Sequence, residues 1–139
     1  MTDPNPKTSP VKSFNEPLNV LVVDDDAINL YLIKTLLVRL GHHVDTVKDG
    51  AAAVDKFISK FYDVILMDVM MPVMDGVTAT IEIRKIETQR ETEPDKVVKI
   101  IAITANSFEE DRAGFFKAGM DHYMSKPFQI EELQRFLNL

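Results

Sequence analysis

Short apolar runs alternate with segments of helical period along this chain, and this alternation restricts the fold more than any other feature. Leu18 to Val23 (LNVLVV) is apolar, β-branched at its end, and stops at three aspartates, as a buried parallel strand does. Leu32, Ile33, Leu36, Leu37 and Leu40 then recur at helical spacing, and Gly41 ends the helix. The same unit follows again. His43 to Val47 reads as a strand. Ala51 to Lys60 reads as a helix with Val54, Phe57 and Ile58 inward. Asp63 to Met67 is a third strand, and Asp75-Gly76 opens a helix to about Gln89. After a polar loop from Arg90 to Lys96, Val97 to Ile103 is a fourth strand. A helix from about Phe108 to Ala118 follows, with Gly119 as its cap. Asp121 to Met124 is a fifth strand, and a last helix buries Ile130, Leu133, Phe136 and Leu137. Five strands alternating with five helices predict a parallel sheet covered on both faces.

The 139 residues suit one domain with a core of its own, set at 18–139. Residues 1–17 hold Pro4, Pro6, Pro10 and Pro17, with Ser, Thr, Asn and Lys among them. They cannot bury enough apolar surface to fold, so a flexible tail is expected. The net charge of −6 disfavours direct binding to nucleic acid. The chain has no cysteine, which excludes thiolate and disulfide chemistry. It has no apolar run of the roughly 20 residues that a membrane helix needs. A cytoplasmic protein is expected.

Parallel sheets of this kind bind ligands at the carboxyl ends of their strands. Here those ends carry Asp24, Asp25 and Asp26 after the first strand, Asp68 after the third, Thr104 after the fourth and Lys126-Pro127 after the fifth. Each has an ordinary reading alone. Asp26 can cap the first helix, Asp68 and Thr104 can be loop or capping residues, and Lys126 can be a solvated turn lysine. Their joint occurrence at four strand ends carries the functional reading. Carboxylates a few ångströms apart repel by several kcal/mol per pair at an effective dielectric of ~20. A hard divalent cation such as Mg²⁺, keeping several waters, offsets that repulsion. A lysine and a hydroxyl can hold phosphoryl oxygens beside it, and a carboxylate so placed can accept phosphorus as an acyl phosphate.

VLVVDDDAIN, DVILMDVMMPVMDG, IIAITANS and AGMDHYMSKPF closely resemble, in order and separation, the motifs of two-component receiver domains. The style of DDDAIN and MDVMMPVMDG is most similar to receivers attached to hybrid histidine kinases. The resemblance spans about Asn19 to Leu139. It implies a flavodoxin-like, doubly wound five-stranded parallel sheet of order 2-1-3-4-5. It implies Asp68 as phosphoacceptor, with Mg²⁺ or Mn²⁺ held by Asp25, Asp68, the Met70 backbone carbonyl and, through water, Asp24. Lys126 pairs with the phosphoryl group, and Lys126-Pro127 is a cis peptide. Thr104 is the switch hydroxyl and Tyr123 the aromatic that moves with it, changing the face made by the fourth helix, fifth strand and fifth helix. The implied partner is a histidine kinase or histidine-phosphotransfer protein, with no nucleic acid or membrane bound directly. The isolated domain is expected to be a monomer, a signalling switch that catalyses its own phosphorylation and dephosphorylation. Met70 and Asn106 border the expected path of hydrolytic water and set the lifetime.

Other residues have plainer readings. Asn29 either hydrogen-bonds near the acidic loop or is a polar residue of the helix start. His42, His43 and His122 do not form a metal site, and most methionines near Asp68 are packing residues. An aspartate-nucleophile phosphatase needs a second acid two residues on, where this chain has Met70. A nucleotide module needs a glycine-rich loop; the five glycines here are scattered. A flavin site needs hydroxyls and glycines in the first loop, which here holds three acids. An interaction domain of the same fold that is never phosphorylated remains as an alternative.

Overall fold

The computed structural model describes residues 16–71, 73–105, 109–127 and 129–138, without the side chains of 109–111. Of the expected tail, only Glu16 and Pro17 are among them. The elements are β1 (Asn19–Val23), α1 (Ala27–Arg39), β2 (His43–Val47), α2 (Gly50–Ser59), β3 (Val64–Asp68), α3 (Gly76–Gln89), β4 (Lys99–Thr104), α4 (Glu109–Ala118), β5 (His122–Ser125) and α5 (Ile130–Leu137). The strands form one parallel sheet in the order β2-β1-β3-β4-β5. This is the doubly wound, flavodoxin-like arrangement expected from the alternation and the motifs.

The period of two along the central strands sorts side chains onto two faces. Leu21, Val23, Ile65, Met67, Ile100 and Ala102 face one core, closed by Ala53 and Phe57 of α2, Ala79 and Ile83 of α3, and Phe115 of α4. Val20, Val22, Val64, Leu66, Ile101 and Ile103 face the other, closed by Leu30, Ile33 and Leu37 of α1 and by Leu133 and Leu137 of α5. The inner strands are therefore buried on both sides, and so read as continuous apolar runs.

The helices differ from the expected inward faces. Leu30, Ile33 and Leu37 are the buried positions of α1, whereas Leu32 and Leu36 remain exposed. One residue is about 100° round a helix. The apolar surface of α1 is wider than the strip the sheet covers, and the sheet takes the edge that includes Leu30. On α2, Ala53 and Phe57 are buried and Ile58 is exposed, for the same reason. On α5, Leu133 and Leu137 are buried, while Ile130 and Phe136 pack at the margin.

Strand limits shift by one or two residues. β3 begins at Val64 because Asp63 acts as a cap: its Oδ2 accepts the Asn19 N–H at 2.8 Å. β3 ends with Asp68 inside the ladder, opposite Ile103. β4 begins at Lys99, since Val97 closes a 3₁₀ turn at Pro94–Lys96 within the expected loop. β5 runs to Ser125. The expected start of α4 at Phe108 lies outside the described residues.

A polar network anchors the ends of β4 and β5 away from the carboxyl side. Arg84 of α3 donates to Glu87 at 2.6 Å, to the carbonyls of Val98 and Gly119 at 2.9 Å each, and to Asp121 at 2.9 Å. Buried Glu87 in turn accepts the Val98 N–H at 2.8 Å, and Asp121 the Ile100 N–H at 2.8 Å. Gly119 adopts φ 112°, and a Cβ there would fall 2.7 Å from Arg84 Cγ. This cluster was not legible in the sequence, because its members have no common spacing.

Candidate functional site

Parallel strands of nearly equal length end together, so β1, β3, β4 and β5 deliver their next residues to one edge. Asp24 leaves β1 with only 1% of its surface exposed. Its Oδ1 accepts the Asp26 N–H at 2.9 Å, and its Oδ2 accepts from Lys126 Nζ at 3.2 Å and Asn29 Nδ2 at 3.4 Å. Of the two readings of Asn29, the structure supports the contact with the acidic loop. Asp26 caps α1 through the N–H groups of Ile28 and Asn29, at 2.9 and 3.5 Å. Asp25, between them, is exposed.

Asp68 is buried, with Oδ1 accepting the Met70 N–H at 3.1 Å and Oδ2 accepting from Lys126 Nζ at 3.2 Å. Ligand atoms of Asp24, Asp25 and Asp68 lie within 4.8 Å of one another. Burial is the largest influence on Asp68 and pushes its carboxyl above the usual aspartate range; the Met70 N–H and Lys126 act against it. Burial is also the largest single influence on Lys126 and pulls it down. The hydrogen bonds and charges of Asp68 and Asp24 together outweigh it, leaving the ammonium above its ordinary value. One ammonium thus faces two buried carboxylates, with a third at the mouth. That excess of negative charge fits a divalent cation with oxygen ligands.

The neighbouring strand ends complete the edge. Thr104 is buried at the end of β4, and its carbonyl accepts the Lys126 N–H at 2.8 Å. The Lys126–Pro127 peptide is cis. Tyr123, paired with Ala102, is half-buried, and the Arg112 guanidinium lies 4.6 Å from its ring centroid. Met70 projects from the β3–α3 loop with 72% exposure, while Met67 is fully buried in the core. Asn106 lies outside the described residues. His42 Nδ1 accepts the Leu18 N–H at 3.0 Å, a structural contact.

A groove of about 390 Å³ runs from the acidic edge along α1, lined by Asn29, Leu32, Leu36, Lys126 and Pro127 among others. Ile28, Tyr31 and Leu32 are exposed along the same helix. This surface was not legible in the sequence, where Leu32 and Leu36 recur at the same helical spacing as the buried leucines. The helical period does not say how much of a wide apolar face the sheet covers.

A doubly wound parallel sheet with an acidic, lysine-bearing carboxyl edge defines the class: a flavodoxin-like α/β domain. The sequence matches the response regulator receiver domain family over residues 20–138. The chain belongs to that family, and is a receiver domain of two-component and phosphorelay signalling. It is 39% identical over 127 residues to hybrid signal transduction histidine kinase I of Dictyostelium discoideum, covering 88% of this chain and 7% of that protein. It likewise spans 16% of the length of a probable histidine kinase of Oryza sativa subsp. indica. The receiver domain of sensor histidine kinase PA1611 from Pseudomonas aeruginosa PAO1, with magnesium in its active site cleft, matches at TM-score 0.73 and 41% identity, covering 88% of this chain and 95% of that one. The Saccharomyces cerevisiae Ssk1 receiver, solved with the histidine phosphotransfer protein Ypd1, matches at TM-score 0.80 and 27% identity, covering 86% of each chain. No helix among the described residues is long and apolar enough to cross a membrane.

Proposed function

We propose that Asp68 is the phosphoacceptor, taking a phosphoryl group from a phosphohistidine of a kinase or phosphotransfer protein. The observation that carries this is Lys126 Nζ at 3.2 Å from both Asp24 and Asp68, beside three converging carboxylates. Transfer breaks the P–N bond as an Asp68 oxygen bonds to phosphorus, and the departing imidazole takes a proton from solvent. Bound Mg²⁺, or Mn²⁺ in its place, supplies charge neutralisation and orients the phosphoryl oxygens. Asp25, Asp68 and the Met70 carbonyl would hold it directly. Asp24 would act through metal-bound water. Lys126 and the Thr104 hydroxyl hold the remaining oxygens.

The domain so read occupies residues 18–139 and catalyses its own phosphorylation and dephosphorylation, in the cytoplasm. The exposed stripe of Ile28, Tyr31 and Leu32 and the α1 groove suit an apolar helical surface presenting the phosphohistidine to Asp68. Movement of Thr104 toward the phosphoryl group would release Tyr123 and reshape the face of α4, β5 and α5. Incubation with a small phosphodonor and Mg²⁺, followed by intact mass, tests the assignment. One added phosphate is expected on the wild type and none on Asp68→Asn. A wild type that gains no mass would favour an interaction domain that is never phosphorylated.

A further inference from the structure

We propose that Gly50, on α2 and outside the strand-end cluster, is a positioning residue for the metal site, because it clamps the loop that carries Met70. This deepens the reading above and rests on it, since Met70 contributes its carbonyl there. The β3–α3 loop spans 69–75 and is tied both to itself and to other elements. The Gly76 N–H donates to the Val69 carbonyl at 3.1 Å, closing the loop on itself. The Met70 N–H donates to Asp68 Oδ1 at 3.1 Å. Two ties come from other elements: the Val69 N–H donates to the Ile103 carbonyl of β4 at 3.1 Å, and the Gly50 N–H, in the first turn of α2, donates to the Met74 carbonyl at 3.1 Å.

The fit leaves no room for a side chain at either glycine. A Cβ on Gly50 would lie 2.5 Å from the Met74 carbonyl oxygen, 3.0 Å from Met74 Cγ and 3.1 Å from Ala79 Cβ. A Cβ on Gly76 would run into the Asp68 carbonyl oxygen and lie 2.8 Å from Met67 Cγ. Between these ties the loop is strained. Val73 sits at φ 70°, a left-handed conformation that a β-branched residue adopts only under constraint. Its side chain is 91% exposed, so packing around it does not supply the constraint. The tethered ends of the loop hold the conformation instead.

The metal makes this geometry matter. Mg²⁺ demands near-ideal octahedral ligation at about 2.0–2.1 Å, so a small displacement of one ligand is felt in affinity. Alanine at Gly50 must push the Met74 carbonyl outward by several tenths of an ångström to reach ordinary contact. The loop is short and closed at Gly76, so the displacement passes toward Met70. α2 therefore sets the site from outside it.

Mg²⁺ affinity and melting temperature, measured on the full chain for wild type, Gly50→Ala and Asp49→Ala, test the proposal. Asp49 caps the same helix through the Ala52 N–H at 2.7 Å. Removing it weakens α2 with the Gly50 tie left in place. Gly50→Ala is expected to weaken Mg²⁺ binding about fivefold or more. Asp49→Ala is expected to lower the melting temperature at wild-type Mg²⁺ affinity. Wild-type affinity in Gly50→Ala, or equal affinity loss in both variants, would overturn the clamp. Should Gly50→Ala not fold, Val73→Gly takes its place. It relieves the strain and slackens the loop, so Mg²⁺ should bind less tightly at an equal or higher melting temperature. Unchanged affinity in that variant would equally overturn it. A wild type that binds no Mg²⁺ would overturn the reading of the site itself, and the clamp with it.

Discussion

Lys126 Nζ lies 3.2 Å from Asp68 Oδ2, although 58 residues separate the two in the chain. Strand order brings them together: β5 adjoins β4, and β4 adjoins β3, so the ends of the third and fifth strands share one edge. The same ammonium reaches Asp24 at 3.2 Å. It holds two buried carboxylates close, beside Asp25, which is exposed.

Replacing Asp68 should stabilise the fold in a pH-dependent way. Burial raises the Asp68 carboxyl above the usual range. From an unfolded value of about 3.9 up to the raised folded value, the native state binds more protons than the unfolded one. Stability therefore falls as pH rises through that window, and the penalty is fully present at neutral pH. Asp68→Asn removes it, and Lys126 keeps Asp24 as partner. The variant should exceed wild type by on the order of 1 kcal/mol at neutral pH, with the difference shrinking as pH falls below the window. Urea unfolding of both proteins at the two pH values checks this; a constant difference would contradict it.

Mg²⁺ should raise the melting temperature through relief of carboxylate repulsion and through linkage. At ten times its dissociation constant the ion contributes ~1.4 kcal/mol. Asp25→Ala should abolish most of that shift, because Asp25 is the exposed member of the acidic trio. Thermal melts with and without Mg²⁺ decide it, and a full shift in the variant would remove Asp25 from the ligand set.

The lifetime of the acyl phosphate should depend on Met70. Met70 is 72% exposed and its backbone N–H donates to Asp68 Oδ1; an apolar side chain two residues after the acceptor could crowd phosphorus without orienting a water. Met70→Asn and Met70→Glu should speed hydrolysis by roughly tenfold, equivalent to ~1.4 kcal/mol of barrier. Phosphate release from the purified acyl phosphate, with Mg²⁺ and no partner, measures it. Equal or slower release in both variants would show that Met70 does not gate the water.

Phosphorylation should alter hydrogen exchange over residues 104 to 128 more than elsewhere in the sheet. The Tyr123 ring is held under the Arg112 guanidinium at 4.6 Å. Moving that ring gives up a contact of about 0.5–1 kcal/mol at an exposed site. Exchange profiles of the free and phosphorylated protein that coincide in this region would count against a switch there.

Arg84→Ala should destabilise the fold by about 3 kcal/mol, because it leaves Glu87 as a buried charge without its partner. Mg²⁺ affinity should stay at the wild-type value, since the network anchors the opposite ends of β4 and β5. Denaturant midpoints and a Mg²⁺ titration separate the two effects. A parallel loss of Mg²⁺ binding would mean that this anchor also shapes the site.

The sequence by itself determined the alternation of strands and helices, the helix stops at Gly41 and Gly119, and the polar residues that end the strands. These features are local. A period of two or of 3.6, a capping aspartate or a run of apolar residues needs no distant partner to be legible. Strand order was available only through resemblance, because composition and period do not rank neighbouring strands, whereas the gathering of Lys126 with the strand-end carboxylates followed from reading a parallel sheet. Tertiary structure alone decided which strip of α1 is buried, since the sheet covers Leu30, Ile33 and Leu37 and leaves Leu32 and Leu36 outside. It also decided that Glu87 is a buried anchor for Arg84 and that the Gly50 N–H donates to the Met74 carbonyl. Such contacts arise where separately formed elements are packed to close distances. Their energy depends on register and on tenths of an ångström, which no one-dimensional pattern records.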